Sequence, residues 1–197
     1  MTNKTINYYN KNFKTLNKKY QNANMKTLYN ILDQYTHSQT KLLEIGFGSG
    51  RDLVRYLHQN IDIVGVDASK AFVNNFKKAY PEYKTKVVLS TFPYLQQKIK
   101  DQRYDIIYSI SSWMHISQKE YKNSIRLLKQ LLKKNGIFLL SYSTTKRIRD
   151  PRFFEELQPR ILQKIFQKSN FRLIYSSTQT DIFNRKIKWT TQVFQLL

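Results

Sequence analysis

Along the first 40 residues, Ile6, Tyr9, Phe13, Leu16 and Tyr20 recur at three- and four-residue steps, as do Met25, Leu28, Leu32 and Tyr35. That spacing predicts two amphipathic helices. Lys4, Lys11, Lys14, Lys18 and Lys19 fall largely on the polar side of the first, and Asp33 is the segment's only acid. From Lys41 the pattern becomes short apolar runs alternating with helical stretches. The runs Leu42–Ile45, Ile61–Val66, Lys86–Leu89, Tyr104–Ser109 and Ile137–Tyr142 read as five strands. Between them, 49–59, 69–79 and 117–134 read as helices, with Ser69 as an N-cap, Pro81 as a stop and Asn135-Gly136 as a C-terminal signal. A last long helix is expected over 153–168, broken or kinked near Pro159. Phe171–Ser177 and Lys188–Leu196 close the chain as two strands able to pair antiparallel. Alternating strand and helix implies an α/β, doubly wound sheet with helices on both faces.

The chemistry concentrates at the end of the first strand. Lys41-Leu-Leu-Glu-Ile-Gly-Phe-Gly-Ser-Gly-Arg-Asp52 is a strand, a glycine-rich turn and a helix start, and Val64-Gly-Val-Asp-Ala-Ser69 is a second strand ending on a carboxylate. Such turns let backbone N–H groups approach an adenosine-bearing cofactor, while the acid accepts ribose hydroxyls. A dinucleotide fingerprint would place a glycine at position 51, which is Arg51. Instead Gly46, Gly48 and Gly50 alternate behind Glu44. A carboxylate there repels a pyrophosphate and favours an amino group or a sulfonium.

These motifs resemble those of the class I S-adenosylmethionine-dependent methyltransferases, in particular small bacterial methyltransferase-domain proteins. Tyr104-Asp-Ile-Ile-Tyr-Ser-Ile-Ser-Ser-Trp-Met-His115 is similar to their fourth strand and following loop, and Leu132–Leu140 to the approach to their fifth. The resemblance spans roughly Tyr8 to the C-terminus. It implies a Rossmann-like seven-stranded sheet of order 3-2-1-4-5-7-6 with an antiparallel last strand. It also implies one domain over 1–197, with a helical lid at 1–40 on a core at 41–197. The implied cofactor is S-adenosylmethionine, leaving as S-adenosylhomocysteine.

Site expectations follow residue by residue from that resemblance. Glu44 takes the cofactor amino group, Gly46, Gly48 and Gly50 leave room for the methionine moiety, and Asp67 takes the ribose diol with Ala68 beside the adenine. Where relatives carry an acid at the third strand end, this chain has Ser90-Thr91-Phe92-Pro93, so Ser90 and Thr91 are the expected adenine contacts. Phe47 and Ser109 complete the cofactor set. Past the fourth strand, Trp113 stands where a substrate enters and His115 is the candidate general base. After the fifth, Lys146, Arg147, Arg149 and Arg152 form the densest basic cluster. Arg147 and Arg149 are expected to hold a phosphate or carboxylate of the substrate.

Composition narrows the alternatives. There is no cysteine, which removes disulfides, thiolate zinc sites and any thiolate nucleophile, including the covalent route to pyrimidine C5. No metal-ligand spacing is present, and the expected reaction needs no metal. No apolar run is long enough for a membrane span, and the N-terminus lacks an apolar secretory core, so the expected location is the cytoplasm. The loop after strand four lacks the Asn/Asp-Pro-Pro-aromatic tetrad of many exocyclic-amine DNA methylases. Net charge is +21, with a pI near 10.0. Lys, Asn, Ile and Tyr enrichment fits an A/T-rich genome, yet drift of that kind raises Glu too, and only Glu44, Glu82, Glu120, Glu155 and Glu156 occur. The imbalance favours an anionic partner. The expectation is methyl transfer to an O or N of a small anionic acceptor. RNA or nucleotide methylation, a non-catalytic regulatory module and aminopropyl transfer are the rivals, the last disfavoured by the basic surface.

Overall fold

A computed structural model describes residues 1–183 and 185–197. Three helices come first: α1 (Asn3–Lys11), α2 (Phe13–Gln21) and α3 (Lys26–Leu32). There follow β1 (Lys41–Ile45), α4 (Arg51–His58), β2 (Asp62–Asp67), α5 (Lys70–Ala79), β3 (Val87–Leu89) and the short α6 (Gln97–Lys100). Then come β4 (Tyr104–Ile110), α7 (Tyr121–Leu131), β5 (Leu132–Ser143), α8 (Pro159–Gln167), β6 (Phe171–Thr180) and β7 (Lys188–Leu196). One seven-stranded sheet has the order β3-β2-β1-β4-β5-β7-β6, with β7 antiparallel to both neighbours.

Strand alternation builds a core on each face, because successive side chains point to opposite sides. Leu43, Ile107, Phe138 and Leu140 join Leu128 of α7 and Phe166 of α8 on one face. Leu42, Ile106 and Leu139 join Leu32, Leu53 and Phe76 on the other. With both faces covered, β1 and β4 read as near-continuous apolar runs. β1 pairs with β2 and β4, so the crevice where crossovers diverge opens at the C-terminal ends of β1 and β4.

Several element boundaries differ from expectation for local reasons. The expected first helix is two, because the backbone leaves the helical region at Asn12 (φ −101°, ψ 12°), whose side-chain amide donates to the Tyr8 carbonyl at 2.9 Å. Residues 153–158 are not helical; α8 begins at Pro159, whose ring holds Gln158 extended. α7 ends at Leu131 rather than Lys134, and the Asn135-Gly136 bend lies inside an irregular start to β5. Ser69 caps α5 as expected, accepting from the Phe72 N–H.

Candidate active site

The turn after β1 is built by left-handed glycines. Gly46, Gly48 and Gly50 have φ of 79°, 52° and 75°, a region costly for residues with a Cβ. Gly46 also meets β4's loop so closely that a Cβ would stand 2.5 Å from that of Ser112. Phe47 swings its ring into the core against Phe76, centroids 5.7 Å apart, which pins the turn from beneath. Above it lies a cavity of about 390 Å³ whose wall includes Glu44, Gly46, Phe47, Gly48, Ser49 and Asp67.

Glu44 is buried and accepts one hydrogen bond, from the Tyr108 hydroxyl at 3.1 Å. Burial, then the nearby Asp52 charge, raises its pKa well above the ordinary carboxylate range. Arg51 offsets this only in part, since its Nε–Nη2 edge engages Asp52 at 2.8 Å and its Nη1 the Tyr20 carbonyl. Among the described residues no cation contacts the Glu44 carboxylate directly, a partner that an ammonium or sulfonium would supply. Asp67 faces the turn: one oxygen accepts the Gly48 N–H at 2.9 Å and the other the Ser69 N–H at 2.8 Å. Burial still pushes its pKa up to about 6 against those donors. Each oxygen keeps a lone pair for a hydroxyl donor.

The adenine end differs from expectation. Ala68, Ser90 and Thr91 line an adjoining cleft of only about 30 Å³, which shares Met1, Gly46, Asp67 and Ser112 with the cavity. The Ser90 hydroxyl accepts the Gln96 N–H at 3.1 Å and donates to the Tyr94 carbonyl at 3.4 Å, while the Thr91 carbonyl takes the Tyr94 N–H. Ser90 therefore holds its own loop together. A space that size holds about one water, so a purine base enters only if the cleft widens.

Four further expectations are corrected. Gly50 is not in the cavity wall; it starts α4, and a Cβ there would overlap the Phe76 ring. Ser109 is fully buried and bonded to Ser112 at 2.6 Å, so Ser111 and Ser112 line the cavity in its place. Trp113 is core: it is 0% exposed, packed by Phe92, Tyr121, Phe138 and Phe166. Arg149 is exposed and outside the wall, its φ of 60° turning it outward, whereas Arg152 takes a place inside beside Arg147.

His115 does reach the cavity. Its Nδ1 lies 2.6 Å from the Phe153 carbonyl, which can only accept, so Nδ1 carries the proton and Nε2 is the free base. Nε2 accepts from the Tyr9 hydroxyl at 2.7 Å, and Arg152 donates to that same hydroxyl oxygen at 3.1 Å. Burial lowers the His115 pKa to about 4, keeping it neutral, and burial raises that of Tyr9. The sequence reading placed Tyr9 only on an apolar stripe; its phenol tip was the available signal.

The N-terminal helices roof the cavity through polar ties. Asn10 accepts from Ser69 at 2.8 Å, Gln21 donates to the Ser49 carbonyl at 2.9 Å, and Arg51 donates to the Tyr20 carbonyl at 2.7 Å. Tyr20 stacks on Phe72 above Gly48, and Lys19 lines the cavity rather than joining the exposed lysines.

Residues 42–136 match the family model described as methyltransferase domain. Among similar solved structures is Burkholderia thailandensis 1,6-didemethyltoxoflavin-N1-methyltransferase, with bound 1,6-didemethyltoxoflavin and S-adenosylhomocysteine. It has a TM-score of 0.79 at 15% identity, over 97% of this chain and 86% of that one. Synechocystis PCC 6803 magnesium protoporphyrin IX methyltransferase with bound S-adenosylmethionine has a TM-score of 0.66 at 16% identity, over 87% and 77%. The [4+2]-cyclase SpnF has a TM-score of 0.65 at 15% identity, over 86% and 80%, so a shared shape alone does not fix the reaction. No curated protein sequence matches the chain.

Proposed function

We propose that this chain, a class I S-adenosylmethionine-dependent methyltransferase whose residues 42–136 belong to the methyltransferase-domain family, methylates an oxygen or nitrogen of a small anionic molecule. One observation carries the reading: a single cavity is lined by carboxylates at the glycine turn, Glu44 and Asp67, and by the cations Lys19, Arg147 and Arg152 from other segments. The carboxylates suit a cofactor bearing an ammonium and a sulfonium. The cations suit an acceptor with negative charge.

The bound cofactor supplies a methyl on a positively charged sulfur, which is already activated toward displacement. The chain's own residues then align and deprotonate. Alignment in a closed cavity supplies much of the acceleration. As the acceptor's O or N bonds to the methyl and the sulfur–carbon bond breaks, the acceptor's proton becomes strongly acidic. It passes to His115 Nε2, either directly or by exchange through the Tyr9 hydroxyl. A base as weak as His115 suffices for so acidic a proton. The Phe153 carbonyl fixes the ring, and Arg152 steadies the Tyr9 oxygen while its proton moves.

The charge of +21 and the exposed Lys4, Lys11, Lys14 and Lys18 favour a second reading, in which the acceptor is RNA. Radiolabelled methyl transfer into a small-metabolite extract and into total RNA separates the two. Label in a small anionic product supports the proposal, and label in RNA alone overturns it. Tight cofactor binding with no transfer to either pool indicates a regulatory module, a reading that the narrow cleft at Met1 favours.

A further inference from the structure

Four cations that feel one another's charge line the cavity: Lys19, Arg147, Arg152 and Arg185. Two carboxylates answer them. Asp150 engages Arg152 at 2.9 and 2.8 Å, and Asp181 engages Arg185 at 2.8 and 2.6 Å. Asp181 also accepts the Trp189 indole N–H at 2.8 Å, which ties β7 to the same cluster. Among the described residues no carboxylate reaches Arg147 or Lys19. Arg147 gives one arm to the Ser143 hydroxyl at 3.2 Å, and its Nε is buried with no acceptor. Burial and then the nearby Arg185 charge lower the pKa of both Lys19 and Arg147. An anion at that point would relieve both.

The surrounding walls are flat rings. Phe154 carries the Arg147 guanidinium at 5.5 Å and the Arg152 guanidinium at 4.7 Å, and its edge meets the His115 ring at 4.6 Å. Phe183 lies under Lys19 at 4.6 Å, and Trp189 adds a further ring to the wall. Phe154 links them: the unpaired guanidinium and the candidate base contact the same ring, which brings both within reach of one small acceptor. An acceptor spanning them needs an anionic group at one end, a flat apolar middle, and an O–H or N–H at the other.

We infer that the acceptor is an aromatic carboxylic acid. Its carboxylate pairs with Arg147, whose planar Nε edge suits two parallel hydrogen bonds. Its ring stacks among Phe154, Phe183 and Trp189, and its second heteroatom faces Tyr9 and His115. The carboxylate is held away from the methyl, so the new bond forms at that second O or N, which loses its proton to His115. This deepens the proposed methyl-transfer reading and rests on it.

The two tryptophans allow a direct test, since Trp113 is sealed in the core and Trp189 lines the cavity. The protein is saturated with S-adenosylhomocysteine, its binding followed by calorimetry. Then 4-hydroxybenzoate and 4-aminobenzoate are titrated, with 4-hydroxybenzamide, hexanoate and inorganic phosphate alongside, reading tryptophan emission on red-edge excitation. Saturable quenching by the aryl acids, at least tenfold tighter than by the amide or hexanoate, is expected. Arg147→Met should weaken it at least tenfold while leaving S-adenosylhomocysteine affinity unchanged, and the distant Arg126→Met should match wild type. Equal binding of acid and amide, an unaffected Arg147→Met, or phosphate binding as tightly as the aryl acids overturns the inference. If the wild type fails to bind S-adenosylhomocysteine, the underlying cavity reading falls; if it binds and the aryl acids do not, only this inference falls.

Discussion

Replacing Glu44 by Gln should move stability and cofactor affinity in opposite directions. The substitution keeps the shape and the Tyr108 hydrogen bond but removes a buried acid that no cation among the described residues contacts directly. Because the folded-state pKa is raised above the ordinary 4.5, the group favours folding at low pH and loses that contribution as pH rises through the folded value. At pH 8 holding Glu44 in the fold, whichever its protonation state, costs about 1–3 kcal/mol, the scale of a buried group imperfectly satisfied. Glu44→Gln should therefore raise the melting temperature at pH 8 by about 2–4 °C per kcal/mol, with little effect near pH 4. Cofactor binding responds the other way. Two unit charges at about 4 Å with an effective dielectric near 20 attract by about 4 kcal/mol before desolvation, and a charge-assisted hydrogen bond nets about 1.5–3 kcal/mol. That range corresponds to roughly ten- to 150-fold weaker S-adenosylmethionine binding. Thermal unfolding at the two pH values, with calorimetry at the higher, measures both. An unchanged affinity, or a lower melting temperature at pH 8, contradicts the assignment of Glu44 as a cation-seeking carboxylate.

Other outcomes follow from the same geometry. Gly50→Ala forces a Cβ onto the Phe76 ring at a φ of 75° and should cost several kcal/mol, read as loss of the folded circular-dichroism signal below 40 °C. Tyr9→Phe and His115→Gln should each lower kcat about 10²-fold or more with KM little changed, once an acceptor is in hand. With His115 neutral above about pH 4, kcat at saturating cofactor and acceptor should hold from pH 8 to near 5 and fall as that imidazole protonates; a half-maximum near 6.5 would place the base elsewhere. Trp113→Ala should destabilise the fold by about 3–5 kcal/mol without a selective change in acceptor affinity, as expected of core and not of a substrate wall.

Backbone chemistry was the most legible part of the sequence. β7 runs from Lys188 to Leu196 as its pattern indicates, and the glycines at 46, 48 and 50 occupy left-handed conformations. Their signals are local: period-two apolar residues, and a residue type that alone tolerates positive φ. The N-terminal helix count differs because the break is a single non-helical residue, Asn12, inside an unbroken apolar period. Side-chain direction past a strand end was not legible. Ser109, Ser112 and Trp113 lie within five residues, yet a short 3₁₀ turn sends Trp113 into the core and leaves Ser112 against the cavity. The same holds for Arg149 and Arg152. Tyr9 was hidden by distance, since its partner His115 is 106 residues away and nothing local in either segment announces the pairing.

The central claim is that the turn at Gly46–Gly50 and Asp67 form one wall that receives the cofactor. The chain has five glycines, so their amide resonances are few enough to follow individually in ¹⁵N–¹H spectra. On titration with S-adenosylmethionine, the Gly46 and Gly48 amides should shift saturably while Gly136, in the bend near the start of β5, stays still. Saturating cofactor that leaves Gly46 and Gly48 in place, or displaces Gly136 as much, contradicts the account.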